Sequence, residues 1–500
     1  MYRLRPIPIL CLLFLFTATL TLLPACSDDD PTLVEPVGER TWRVPDDWPT
    51  LQAAADTAHA GDTIVLAPGI YREVGVVLEA GVDLRGETTR EGGAVLDGQL
   101  LGQVLTVAPD TVSAAHDDTT CEIANLEIRG GTGALYIKAA AVVSDCRFAA
   151  NHGEQAAVGT LRANVAFVRC AFDSNTATDY DATGGALLVE GTAEYLVTVN
   201  SCSFTYNQVE WGAGGAACFM APAEIDSTTF AHNRALSGGA IVTGQPVEFA
   251  DCAFTDNTAD GVPGDGGDAF GGALYLIGGE QRLVRCDFVG NHAMNGSAIM
   301  GSGSDAQVQI CAFSQNVADG AGTINWAGDC DPSFLRCDIV ENQADYGGGF
   351  KAWGGANPTF TDCSISGNAA GAGGAGEFGD QGTLSLLACR LESNTSQSFG
   401  GALAVLSTAA DVTPQLIMSS CTVSGNSAVT AGGGFFFGLP AHLQATETTF
   451  AGNTAPEYAG GMVGWDGEVE LICCTFTDQE IGGNGTVTVD DTDCGSDGGR

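Results

Sequence analysis

Residue types able to do chemistry are sparse in this chain, and they do not converge. The adjacent carboxylates Asp117–Asp118 and Asp490–Asp491 would point to opposite faces of a strand, so neither pair can act as acid and base on one substrate. His152, His232 and His292 each stand next to an asparagine that recurs along the chain, a repetition that fits corner packing better than a single catalytic imidazole. The insertion at 259–268 is the best ion candidate. There Asp260, Asp265 and Asp268 could offer oxygen ligands to Ca²⁺ on a glycine-rich backbone. The iterated acidic glycine nonapeptide of calcium-binding β-rolls is missing, and a plain solvated loop has the same composition. No cofactor is otherwise required: the six histidines are scattered and no C-x-x-C occurs.

Aromatic residues recur just ahead of a paired-glycine motif, at Trp211, Phe270, Tyr346, Phe399 and Tyr458. Aligned along one edge they could stack on sugar rings or on a partner surface; the alternative is that they cover the glycine corners and pack on each other. Trp326 and Trp465 fall four residues after a corner glycine and read as core. On a repeating scaffold an active site should stand out as a single departure from the repeat. The sequence shows no lone polar cluster suited to acid–base work.

The elements that must position these residues follow from one recurring asparagine. Asn151, Asn175, Asn207, Asn233, Asn257, Asn291, Asn316, Asn342, Asn368, Asn394, Asn426 and Asn453 are separated by 24 to 34 residues, the period of a solenoid. Three residues before each lies an apolar side chain, from Phe148 to Phe450, and five before lies Cys in ten of the twelve copies, with Thr228 and Thr448 in the other two. A thirteenth copy ends in Gln479. Positions two apart in a strand share a face, so the Cys and the apolar residue point into one core. The Asn then leaves the strand at a bend, where its amide can satisfy backbone groups and tolerate unusual φ/ψ. A short, variable loop leads to motifs such as Gly184-Gly185-Ala186-Leu187 and Gly400-Gly401-Ala402-Leu403, a tight corner opening a second strand. A third apolar stretch precedes each Cys. Three strands and three corners per roughly 26 residues make one coil of an all-β, right-handed parallel β-helix solenoid.

The paired F-x-x-N and G-G-A-[ILV] motifs resemble the repeats of polymorphic outer-membrane protein passengers and of right-handed β-helix proteins in general. The resemblance covers residues 140–480 and implies a fold; its members are functionally mixed. Pro49 to Asp56 carries helix-start signals, and the switch to strand over Gly61 to Tyr71 resembles the N-terminal cap of pectate-lyase-like β-helices, where a short helix covers the open core. The expected organisation is a leader at 1–25, an acidic tether at 26–40, a cap at 41–60, the β-helix at 61–490 and a polar tail at 491–500. No cap for the C-terminal coil is legible.

Arg3 and Arg5 precede an apolar run from Ile7 to Leu23, as in a secretory signal. Leu23-Pro24-Ala25-Cys26 resembles a bacterial lipobox, which implies that Cys26 is lipidated and anchors the protein to a membrane. Ser27-Asp28-Asp29-Asp30 resembles a surface-export signal, and an outer-membrane, cell-surface location is expected, a periplasm-facing one being the alternative. Net charge is −42, with Lys138 and Lys351 the only lysines, which argues against nucleic acid as a partner. Export suggests disulfides among the 18 cysteines, but parallel side-chain vectors make bridges between ladder neighbours strained, so those thiols are expected to stay largely reduced. The function expected is a binding or adhesion module for glycan or a partner surface. A polysaccharide lyase or glycosidase on the same fold, or a purely structural envelope protein, are the alternatives.

Overall fold

The computed structural model describes residues 39–89, 92–108, 120–261, 269–406, 413–438, 441–456, 462–464, 468–477, 479, 481–483, 486–491 and 494. Cys26, Asp117, Asp118, Asp265, Asp268, Tyr458 and Trp465 lie outside them, as do the leader and most of the tether. Strand–strand pairing is parallel throughout, in sheets of 18, 16, 16 and 11 strands, and the chain winds as a right-handed parallel β-helix.

One coil shows how the sequence does this. Arg285 is left-handed at φ 53°, Cys286 follows, and Asp287–Val289 forms a three-residue strand with Phe288 inward. Gly290 is left-handed at φ 67°, then comes Asn291, and His292–Asn295 forms a further strand. Gly296, at φ 66°, turns the chain into Ile299–Ser302, and Gln307–Gln309 returns it to the next Cys. Left-handed residues thus bracket each Cys-x-Phe strand. The unusual φ falls on the residue before the Asn, not on the Asn itself. The three-strand coil expected from the sequence is also corrected: in eleven coils the segment after the Asn pairs as a fourth, short corner sheet. Its strands were illegible because many are two residues long, such as Arg234–Ala235.

The Phe strands stack in register, with neighbouring rings from Phe148 to Phe313 at 4.3 to 5.0 Å and nearly parallel. Beside them runs the asparagine ladder. Asn316 Nδ2 donates to Phe288 O at 3.0 Å and to Asn342 Oδ1 at 3.0 Å, and its Oδ1 accepts from Asn291 N and Nδ2, both at 2.9 Å. Every polar valence of the buried amide used here is matched by the coil above or below. At the first rung Asn151 Oδ1 takes Gly131 N at 2.9 Å, and at the last Gln479 Oε1 receives Asn453 Nδ2 at 2.9 Å. Gln479 therefore closes the ladder.

The eleven ladder cysteines are free, ten of them buried, and burial pushes the Cys146 thiol up to about 12. Each thiol serves as a weak donor to backbone, as Cys146 does to Ser144 O at 3.3 Å. Cys473 and Cys494 form a disulfide instead, tying the last described residue to the final coils beside strand Thr486–Asp490. At the other end the helix Leu51–Ala55 buries Leu51 and Ala54 over the first coil. Thr50 accepts from Ala53 N at 3.2 Å, and the Glu73 carboxylate accepts from Leu51 N and Gln52 N, both at 2.9 Å. Thr41–Val44, inside the segment read as cap, is already a strand and pairs with Thr63–Leu66. Among the described residues no helix is long and apolar enough to cross a membrane.

Asn316→Ala would orphan several buried donors and acceptors at once. It should lower unfolding stability by about 3 kcal/mol or more, and by clearly more than Ala at an exposed αL position such as Gln315, measured by chemical denaturation. Equal losses at the two positions would show that the ladder adds nothing beyond local packing.

Candidate functional site

Functional side chains can only be carried where the coil faces outward, and one outward column is unusual. In the sheet that follows the glycine corners, the second residue of each strand points away from the core. Cys218, Val242, Tyr275 and Met300 hold this column in successive coils, then Asn325, Lys351 and Glu377, then Ala404 and Phe436. The corner sheet folds over it. Phe270 packs on Tyr275 at 5.5 Å, Phe399 on Phe436 at 4.5 Å, and the Lys351 ammonium lies 4.9 Å from the Tyr346 ring. Phe270, Tyr346 and Phe399 share one register position of the corner, the residue before the glycine turn, separated by coils carrying Asn295, Ala321 and Ala372. Trp211 lies two residues earlier and pairs with Tyr180, so the sequence-aligned aromatics do not form one continuous row.

Trp211 and Tyr180 belong to an open groove of about 480 Å³ that the sequence pattern did not reveal. Ala182, Thr183, Gly212, Ala213, Ser237 and Tyr275 also line it. Tyr180 is 73% exposed and Trp211 43%, large apolar faces left to solvent on an acidic surface. Gly212 is required here: a Cβ would meet Ala182 O at 1.8 Å. The irregular pairing of Thr176–Thr183 with Gln208–Ala213, with register shifts around Tyr180, pushes both rings outward. Asp181, exposed and at φ 70°, sits at the lip. One coil back, a second depression is lined by His152, Glu154, Gln155 and Thr178. The signal for the groove was available as Asp179-Tyr180-Asp181, an exposed aromatic in a loop longer than its neighbours.

Asn325, Lys351 and Glu377 correct the expectation that no lone polar cluster exists. Lys351 Nζ lies 2.8 Å from Glu377 Oε1, with the two side chains 20% and 9% exposed. Glu377 Oε2 and Asn325 Oδ1 are buried without a hydrogen-bond partner in the structure. Burial lifts the Glu377 carboxyl above its usual range, against the opposing pull of Lys351. A lysine–carboxyl pair of this kind is acid–base chemistry in type, but it is closed over by the corner sheet. The sequence signal was a charge four residues after the first corner glycine in Gly347–Lys351 and Gly373–Glu377, where other copies are apolar or small.

Asp260 of the expected calcium loop is engaged by Arg234, and Asp265 and Asp268 lie outside the described residues. Among the described residues no group of three or more His, Cys, Asp or Glu could hold a metal. His232 stacks on Tyr206 at 4.8 Å and His292 lies 3.1 Å from Asp319, both in corner contacts between coils. Trp326 is core, donating to Ser304 O at 2.9 Å.

Residues 268–476 match the family described as right handed beta helix region. Solved structures similar to the chain include the DFA-IIIase of Arthrobacter chlorophenolicus A6 in complex with GF2, 11% identical over 66% of this chain and 94% of that one, with a TM-score of 0.36. The PL6 family alginate lyase AlyGC is 11% identical over 91% of this chain and 90% of that one, with a TM-score of 0.34. No curated protein sequence matches.

Breaking the buried pair by Glu377→Ala should cost about 3 kcal/mol, whereas Lys351→Met with Glu377→Leu should return to within about 1 kcal/mol of the parent. The fold holds the Glu377 proton more tightly than the unfolded chain does. The parent should therefore lose stability relative to the double variant as pH rises through the raised Glu377 pKa, and not below the ordinary carboxylate range. Denaturation of the three proteins across pH measures both; a flat difference would mean that Glu377 is not strained in the fold.

Proposed function

We propose that the protein is a lipid-anchored surface β-helix that binds glycan along its corner sheet. The observation that carries this reading is the groove in which Tyr180 and Trp211 present exposed rings beside small lining residues. Flat aromatic faces in an open groove suit the apolar faces of pyranose rings, each stack being worth about 0.5–1.5 kcal/mol, so useful affinity needs several coils to be engaged together. Tyr346, about half exposed, offers a further ring farther along the same corner, while Phe270 and Phe399 back the outward column. Anchoring at Cys26, supported by the lipobox-like Leu23 to Cys26, and export to the cell surface, supported by the acidic residues after it, would hold the groove outside the cell. The resemblance of the repeats to outer-membrane passengers fits the same setting.

A second reading, a carbohydrate-active enzyme, is favoured by the Lys351–Glu377 pair alone, and needs the corner sheet to open.

Replacing Tyr180 and Trp211 together by Ala should reduce binding to a glycan array at least about fivefold, the sum of two stacks, with the β-rich circular dichroism unchanged. Undiminished binding would remove the groove from the reading, and turnover of a polysaccharide lost on Glu377→Gln would favour the enzyme. Separately, Cys26→Ser should abolish processing to a membrane-bound form. A variant still cleaved after Ala25 and still sedimenting with membranes would end the lipid-anchor proposal.

A further inference from the structure

The aromatic groove is lined by one carboxylate, Asp181, and two more are chain neighbours of its rings. Asp179, Tyr180 and Asp181 are consecutive and all exposed, and in the paired strand Glu210 and Trp211 are exposed side by side. Among the described residues none of these three carboxylates forms an ion pair. Asp179 accepts from Tyr180 N at 2.8 Å and Gln155 Nε2 at 3.4 Å. Arg234, in the coil after Glu210, is already held by Asp260. Some carboxylates elsewhere on the surface are neutralised by cross-coil arginines, as Asp145 is by Arg169 and Asp251 by Arg285. The groove lacks this pairing in a chain of net charge −42.

Resting on the glycan reading above, we infer that the groove selects glycans carrying protonated amines, that is, polymers of amino sugars with free amino groups. Two features of the groove meet that chemistry. An ammonium lying over the exposed Trp211 face is attracted by the ring quadrupole, and indole is the strongest of the aromatic partners. The same ammonium finds Asp181, which lines the groove, as a counter-charge, and the exposed Asp179 and Glu210 add to the field that draws cations in from solution. Uronate polymers, which carry a carboxylate on each ring, meet three uncompensated negative charges and are excluded; a neutral polymer keeps only its stacking. A chain is favoured over a single sugar because the corner sheet repeats at the coil spacing of ~4.8 Å, close to the advance of one pyranose residue in an extended polymer.

The test is calorimetric titration of the full-length, detergent-solubilised protein with four hexamers: glucosamine, N-acetylglucosamine, cellohexaose and oligouronate. Hexalysine is the fifth probe. The glucosamine hexamer should bind at least about tenfold more tightly than the two neutral hexamers, and the uronate should not bind. The preference should shrink with added salt and vanish as pH rises past the amine pKa. Asp179→Asn, Asp181→Asn and Glu210→Gln together should erase it while neutral binding persists, and Trp211→Ala should weaken all sugars. Equal binding of amine and neutral hexamers overturns the charge selectivity and leaves the glycan reading standing. Tighter binding of hexalysine makes a basic peptide the ligand and overturns the inference. Failure of every hexamer to bind overturns the inference and the glycan reading together.

Discussion

The buried asparagine ladder is the interaction on which the rest of this molecule depends. Left-handed residues flank every Cys-x-Phe strand, so each coil turns sharply and leaves backbone groups without partners inside the bend. The Asn amide supplies them: it donates back to the preceding coil and forward to the next amide, from Asn151 to Gln479. Because each amide is both donor and acceptor to a copy of itself, the coils must stack in one register. The phenylalanine stack and the cysteine column follow from that alignment and fill the core it defines. Interacting donors and acceptors in a dry setting reinforce one another, which makes the row costly to interrupt in its middle.

A scaffold this regular places variation on its outside. The corner sheet begins at the residue after each Asn and is therefore anchored by the ladder, yet its strands are free to lengthen. Where they stay short, as at Arg234–Ala235, the surface is smooth. Where Thr176–Thr183 lengthens to eight residues, Tyr180 and Trp211 are pushed out and a groove opens. Aromatics one position before the glycine turn do the opposite, lying down on the outward column and closing it. The same residue class thus serves two ends according to its offset from the turn. Both follow from where the backbone leaves the ladder.

The strand pairing and the matched residues 268–476 settle the architecture, while the activity stays a matter of the outer surface. The repeat was legible because Cys, Phe and Asn recur at fixed offsets and identical positions must stack. The N-terminal helix was legible from Thr50 before Leu51, an N-cap followed by buried apolar positions. The corner sheet was not: a strand of two residues has no periodicity to read. The Lys351–Glu377 contact was equally hidden, since 26 residues separate the partners and nothing local demands that they meet.

By itself, then, the sequence determined the coil, its core column and the row of asparagines, because stacking a repeat on itself turns a period into a contact. It also carries an apolar N-terminal run that ends in the lipobox-like Leu23 to Cys26, a pattern read from composition and order. Only the tertiary structure decided which outward residues meet across coils: that Trp211 faces Tyr180 and not Phe270, that Asp260 is taken by Arg234, and that Cys473 reaches Cys494 while the ladder thiols stay free. Those outcomes depend on register shifts and on loops of unequal length, and one residue of slip at a corner changes every neighbour a side chain can reach.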